Sequence, residues 1–305
     1  MNKKIIAGSR GSKLALVQTG SVIDQIRKTN PGIEVEIREI TTTGDRDRQT
    51  HLDKIGVAAF VKELELALMD HSIDLAVHSL KDVPTEIPEG LCLIAVSERL
   101  DPRDVLVASS KFDALAAGSR IGTGSLRRTV QINNLRPDIE VCSIRGNIDT
   151  RLRKVDSGEV DGTIVAAAAL LRLGWGKRIT EYLPLEHFLP AAGQGALVIE
   201  TRIDDKDITD LISPLNHLPT WQSITAERAF LRTLDCGCRA PIAVLGTAED
   251  SILKLKGMIA DPDNDRILIS SEEGNTMSPK NIGIRLAKKM LEMGACDFIG
   301  EVKDR

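Results

Sequence analysis

The chain has 305 residues, 40 Lys and Arg against 44 Asp and Glu, a formal net charge of −4, and 42% apolar residues. This length supports two or three domains with cores of their own, and the apolar fraction argues against wholesale disorder. The acidic balance removes the sequence-independent attraction to nucleic acid, five cysteines are too few for a disulfide framework, and no run approaches the ~20 apolar residues of a membrane helix. Met1-Asn2-Lys3-Lys4 leads into only Ile5-Ile6-Ala7, too short for the apolar region of a signal peptide, so a soluble cytoplasmic protein is expected.

Ile5–Ala7 reads as a short buried strand, Ser12–Arg27 as a helix, and Ile33–Arg38 alternates apolar and polar residues as a strand should. Phe60–Met69 carries apolar residues at helical spacing, and Leu75–Ser79 follows as a strand. The pattern then restarts. Ser119–Gly122 leads into a helix from Leu126, Ile139–Ile144 is a strand, Asn147–Val155 a helix, and Gly162–Ala166 a strand. Strands alternating with helices indicate parallel sheets covered on both faces. Strand, Gly with Ser or Thr, then helix recurs at Gly8–Ser12 and at Gly122–Ser125. The expected fold is α/β, with two doubly wound domains facing each other across a cleft, 1–98 with 196–214 and 99–195. Beyond a linker at Pro214–Pro219, the helix Trp221–Leu234, the alternating strands Leu253–Ile259 and Arg266–Ser270, the turn Asp261–Asp265 and the helix Ile282–Met293 predict a small α+β domain over 218–305.

Arg outnumbers Lys by 23 to 17, and residues 99–178 hold 11 Arg and 3 Lys against 9 acids. Guanidinium is the planar fork that suits carboxylate or phosphate. Gly122-Thr-Gly-Ser-Leu-Arg-Arg joins glycines, which let a backbone approach a ligand, to the N–H groups of a helix N-terminus. Thr123 and Ser125 add hydroxyls. Arg127 and Arg128 put cations in the first turn, which opposes the helix dipole by roughly a few tenths of a kcal/mol unless an anion sits there. An ordinary glycine turn with a capping Ser reads the same way. The segment lacks the Gly-Lys-Ser/Thr of a phosphate loop and the third Gly of a dinucleotide fingerprint, which disfavours a nucleotide-using transferase. Ser143-Ile-Arg-Gly-Asn repeats the design with Arg145 and Arg151; Arg10 with Ser12, and Arg172, stand at further strand ends. Four such junctions imply a polyanionic ligand at the carboxyl edges of the sheets.

Val77-His-Ser-Leu-Lys-Asp-Val-Pro places Lys81 and Asp82 just after a strand. A carboxylate there suits neutralising a cation that develops on a substrate, or guiding a proton, whereas His78 reads as a packed, hydrogen-bonded histidine. Cys236-Gly-Cys238 has no second ligand pair for zinc, so no metal is expected; covalent attachment at a loop thiol near Arg239 is the better use.

Together these blocks resemble the porphobilinogen deaminase (hydroxymethylbilane synthase) family: Gly8-Ser-Arg-Gly-Ser-Lys-Leu-Ala-Leu, Phe60-Val-Lys-Glu-Leu-Glu, Ala76-Val-His-Ser-Leu-Lys-Asp-Val-Pro, Asp101-Pro-Arg-Asp, Gly122-Thr-Gly-Ser-Leu-Arg-Arg, Arg145-Gly-Asn, Ala191-Ala-Gly-Gln-Gly-Ala and Cys238-Arg-Ala-Pro-Ile. The resemblance implies two periplasmic-binding-protein-like domains plus a third, α+β, domain, and a monomer. It implies an enzyme that joins four porphobilinogen molecules head to tail, releasing ammonia each time, to give the linear tetrapyrrole hydroxymethylbilane. A dipyrromethane cofactor attached to Cys238 would prime the chain. By the same resemblance Asp82 is the catalytic aspartate. Lys81, Thr123, Ser125, Arg127, Arg128 and Arg145 hold the cofactor, and Arg10, Ser12, Phe60, Arg151, Arg172 and Gln194 meet the substrate. Each porphobilinogen carries an acetate and a propionate, so a growing chain accumulates carboxylates and needs many guanidinium forks.

Two features depart from the family. Cys236 stands where Gly is usual, and Gly56-Val-Ala-Ala replaces a longer Gly-Gly-Lys-Gly stretch before Phe60. The competing reading is a non-catalytic, two-lobed polyanion-binding module, which would use the arginines but would require neither Lys81-Asp82 nor the cysteine.

Overall fold

The computed structural model describes residues 4–43, 60–234, 241–261 and 266–296. The chain forms two compact units, 1–100 with 196–221 and 101–195 with 222–305. In chain order the first stretch holds β1 (Lys4–Arg10), α1 (Lys13–Thr29), β2 (Glu34–Ile40), α2 (Lys62–Met69), β3 (Leu75–Ser79) and β4 (Leu91–Val96). The second holds β5 (Asp104–Ala108), β6 (Arg120–Gly122), α3 (Leu126–Leu135), β7 (Glu140–Cys142), α4 (Ile148–Asp156), β8 (Gly162–Ala166), α5 (Ala167–Arg172) and β9 (Glu181–Tyr182). The chain then returns to the first unit with β10 (Leu197–Arg202) and α6 (Lys206–Ile212). It ends with α7 (Leu218–Leu234), β11 (Ile242–Glu249), β12 (Ile252–Ala260), β13 (Ile267–Asn275) and α8 (Pro279–Met290).

The first sheet runs β2-β1-β3-β10-β4 and the second β7-β6-β8-β5-β9. β1 is parallel to β2 and β3, and β6 is parallel to β7 and β8. β10 is antiparallel to β3 and β4, and β5 to β8 and β9. The two sheets therefore share one strand order, and the repeated Gly-Ser/Thr junctions fall on equivalent turns, β1 to α1 and β6 to α3. The expectation of parallel ladders throughout misses β5 and β10. Both are continuous apolar runs, Val105-Leu-Val and Leu197-Val-Ile, buried on both faces, and such a run carries no mark of its direction.

Local chemistry explains the elements. The Ser12 side chain caps α1 by accepting from the Ala15 N–H at 3.2 Å. Val22, Ile23 and Ile26 of α1 then pack on Ile5, Val35, Leu75 and Val77. Leu64 and Leu68 of α2 form a second core with Ile73 and Ala76. Each such Leu or Ile contributes roughly 1.5–3 kcal/mol by leaving water.

The third sheet, β11-β12-β13, is antiparallel throughout. Phe230, Leu286 and Met290 of α7 and α8 pack with Val244, Leu255 and Ile259 of its strands. The chain is thus a mixed α/β protein of two sheet-helix domains plus a small C-terminal sheet domain. The segment Pro214–Pro219, expected as a linker, carries a 3-10 turn at Ser213–Leu215 and the start of α7 at Leu218. Proline fits both places, since an early helical turn has no use for its missing N–H.

Candidate active site

In the first unit Arg10 closes β1, and Lys81 and Asp82 stand in the 3-10 turn Leu80–Asp82 that follows β3. β1 and β3 are parallel neighbours, so both contribute to one carboxyl edge. The Arg10 guanidinium lies over the Phe60 ring, 4.5 Å from its centroid, a cation–π contact that orients the fork. Gln18 of α1 donates to Ser79 Oγ at 2.9 Å, which ties the helix to the end of β3. Asp82 is half-buried and forms no ion pair with a described residue. Its carboxylate is available to a cationic partner.

Behind this edge His78 and Glu200 are both buried, with Nε2 and Oε2 3.0 Å apart. Burial, with Glu200 nearby, pushes the Glu65 carboxyl of α2 above its usual range.

In the second unit Thr123 and Ser125 follow β6, Arg145 follows β7, and Arg172 ends α5 directly after β8. Thr123 is buried and its Oγ1 accepts from the Ser125 N–H at 3.2 Å, which holds the loop shape. The Ser125 side chain makes no cap bond to α3. A Cβ on Gly124 would stand 2.9 Å from the Ile144 carbonyl oxygen, so the close approach this glycine permits is to the loop after β7.

Arg127 and Arg128 are buried, and the anion between them is Asp104, the first residue of β5, with no exposed surface. Arg127 Nη1 donates to Asp104 Oδ2 at 2.8 Å and to the Leu189 carbonyl at 2.6 Å. Arg128 donates through Nη2 at 2.6 Å and Nε at 3.1 Å to Oδ1. Gln194 Nε2 reaches the same Oδ1 at 3.0 Å and the Pro102 carbonyl at 2.7 Å. Burial raises the Asp104 pKa, but the two guanidiniums outweigh it and hold the carboxyl well below the usual range. The anion that two first-turn cations call for is thus supplied by the protein itself.

Arg145 and Arg151 are different. Neither forms an ion pair with a described residue, and Arg145 Nη2 is buried without a hydrogen-bond partner. Arg151 Nε donates to the Gly146 carbonyl at 2.9 Å. Burial, followed by repulsion from Arg128 and Arg145, pulls the Arg151 pKa down to about 10. Burial alone pulls Arg172 down to about 10 while its Nη2 donates to the Gly195 carbonyl at 2.8 Å. Arg128 and Arg145 thus both lie near enough to repel Arg151, and both shifted arginines remain cationic at neutral pH. A buried donor left unmade costs free energy, and an anionic ligand would satisfy it. This orphaned nitrogen fits a carboxylate-rich group such as dipyrromethane.

Cys236, Cys238 and Gly56–Ala59 lie outside the described residues. Among the described residues no group of three His, Cys, Asp or Glu stands close enough to hold a metal ion, and no helix is long and apolar enough to cross a membrane. Sequence reasoning did not single out Asp104 or Glu227. Glu227 is fully buried on α7 and accepts from the Gly193 N–H at 2.6 Å and the Gly246 N–H at 2.7 Å. The signal for Asp104 was an acid heading an apolar strand, which must find partners if it is buried. In the same Asp101-Pro-Arg-Asp block, Arg103 pairs with Asp101 at 2.6 Å and lies 4.3 Å over the Tyr182 ring.

Comparison with known proteins gives these positions a context. Residues 5–210 match the family model described as porphobilinogen deaminase, dipyromethane cofactor binding domain, and residues 221–292 match porphobilinogen deaminase, C-terminal domain. The porphobilinogen deaminase of Desulforudis audaxviator (strain MP104C) is 44% identical over 306 residues, 99% of each chain. That of Geobacter metallireducens (strain ATCC 53774 / DSM 7210 / GS-15) is 44% identical over 99% of this chain and 96% of its own. Among solved structures, a probable amino-acid ABC transporter extracellular-binding protein from Bacillus subtilis aligns over 70% of this chain and 90% of its own, with TM-score 0.44 and 14% identity. With one model covering both α/β sheets, a second covering the C-terminal sheet, and relatives alike from end to end, the chain belongs to the porphobilinogen deaminase family.

Proposed function

We propose that the chain polymerises four porphobilinogen molecules, with loss of ammonia at each addition, into hydroxymethylbilane, and that its dipyrromethane primer is attached to Cys238. The observation that carries this reading is the arginine cluster, in which Arg145 Nη2 is buried without a partner and Arg145 and Arg151 lack a protein anion among the described residues. When bound, dipyrromethane supplies a nucleophilic pyrrole α-carbon held at high effective concentration. Arg128, Arg145 and Arg151 bind its carboxylates, and Thr123 shapes the loop that carries Ser125 beside them. Arg10, Arg172 and Ser12 bind the acid side arms of the incoming substrate, with Phe60 against a pyrrole ring and Lys81 on the cofactor. Gln194, expected at the substrate, has both amide N–H groups engaged by Asp104 and the Pro102 carbonyl and serves the site through Asp104. Loss of ammonia from a bound porphobilinogen leaves a delocalised azafulvenium cation. Asp82 stabilises that cation near the pyrrole N–H, because a half-buried carboxylate without an ion pair gives its charge to the reacting group. The proposed setting is the cytoplasm, as a monomer acting on a small molecule, with no nucleic-acid or membrane partner.

The test is the intact mass of protein purified from cells able to make porphobilinogen, together with its colour in Ehrlich's reagent and peptide mapping of the adduct. A dipyrromethane adduct on the Cys238 peptide supports the reading. An unmodified chain without dipyrrole colour overturns it in favour of the polyanion-binding module, and an adduct on Cys236 moves the anchor.

A further inference from the structure

We propose that Asp104 is a positioning residue for this reaction: it fixes the guanidinium of Arg128 among Arg145 and Arg151 and balances the charge of Arg127 behind it. The inference rests on the function proposed above. A buried carboxylate bridging two arginines is weak evidence for stability, because apolar packing of similar volume often serves as well. Its geometry points to orientation instead. Arg127 Nη1 is shared between Asp104 and the Leu189 carbonyl, which turns that guanidinium inward. Arg128 lays Nε and Nη2 against a single oxygen, an edge-on contact that sets the plane of the fork. Its Nη1 has no hydrogen bond among the described residues. Gln194 grips the same oxygen, so the Gly-Gln-Gly segment is registered on the carboxylate that orients the fork.

One carboxylate between two guanidiniums leaves a surplus of positive charge, to which Arg145 and Arg151 add. The cluster is cationic by construction, and Asp104 limits how cationic it is. Without that anion, Arg128 would swing free, and a small inorganic anion would be drawn to the two uncompensated forks.

The experiment compares wild type, Asp104→Asn and Asp104→Glu as full-length proteins purified from cells that make porphobilinogen. It measures the thermal midpoint, the fraction carrying the adduct by intact mass, kcat and KM, and inhibition by inorganic phosphate. For folded Asp104→Asn the expected result is KM for porphobilinogen, or the unloaded fraction, raised about tenfold, the scale of one misplaced charge-assisted hydrogen bond. The inhibition constant for phosphate is expected to fall about tenfold, and Asp104→Glu to restore much of the resistance to phosphate. A folded Asp104→Asn with wild-type loading, KM and phosphate response overturns the proposal. If Asp104→Asn does not fold, the double variant Asp104→Asn with Arg127→Gln, which removes the stranded buried charge together with the acid, decides on the same readouts. Failure of the underlying function is distinguishable, because the wild-type protein itself would then lack the adduct.

Discussion

Asp82→Asn keeps the shape of its side chain and removes the charge, so it reads the electrostatics of the reaction alone. Turnover of protein verified by mass to carry its primer is expected to fall about 10²–10⁴-fold; near-normal kcat would move the chemistry elsewhere. Arg151 tests binding through a trade between stability and function. Its pKa is lowered from the ordinary guanidinium range to about 10 by burial and by its cationic neighbours. The penalty on the charged form is therefore complete at every pH below about 10 and is released only above it, up to the ordinary guanidinium range, where the unfolded chain holds more protons. At neutral pH the folded protein carries all of it. Arg151→Met is expected to raise the melting temperature of the cofactor-free protein at pH 7 while lowering the fraction loaded with cofactor, by calorimetry and intact mass. A lower melting temperature would mean that its bond to the Gly146 carbonyl matters more than the repulsion. The residue types, and their places at strand ends, were legible in the chain because Gly, Ser and Arg at a strand-to-helix junction have few other uses. The pairing of Arg127 and Arg128 with Asp104 was not, because the acid stands 23 and 24 residues away and only tertiary folding joins them.

Among the elements, helices with caps and a clear apolar face could be read before folding, as α1 shows with Ser12 at its start and Val22, Ile23 and Ile26 buried. Central strands could be read as well, since Leu75–Ser79 and Gly162–Ala166 form with the expected bounds, but the extent of an edge strand could not. The expected strand Ile139–Ile144 pairs only over Glu140–Cys142, because β7 is an edge strand with a single neighbour and Ile144 packs beneath Gly122 and Gly124 instead. Close helix packing makes its own prediction. A Cβ on Gly283 of α8 would sit 2.2 Å from the Ala226 carbonyl oxygen of α7. Gly283→Ala must therefore push the two helix backbones apart, and is expected to cost about 1–3 kcal/mol in chemical denaturation; an unchanged midpoint would show that the helices separate freely. On α2, the Glu65 carboxyl is pushed above its ordinary 4.5 by burial and by Glu200. An acid shifted upward destabilises the fold once it ionises, so Glu65→Gln is expected to raise stability at pH 7, by an amount that solvent screening of this half-buried group keeps small. That gain should disappear below pH 4.5, where both states are protonated, and urea melts at the two pH values check it.

For the whole molecule, a ligand bound by the folded protein and not by the unfolded chain raises stability, so primer-loaded protein is expected to melt above the cofactor-free form. Equal melting temperatures would argue against the arginine cluster as the primer's seat. The strand order carries a consequence for biosynthesis. β10 lies between β3 and β4 and is the only partner β4 has among the described strands, yet it is made about a hundred residues later. The second sheet, by contrast, draws all five of its strands from one uninterrupted stretch. On the ribosome the second sheet is therefore expected to close before the first, and β4 waits unpaired while the intervening domain emerges. Pulse proteolysis of stalled nascent chains would record this as early protection around residue 164 and late protection around residue 94.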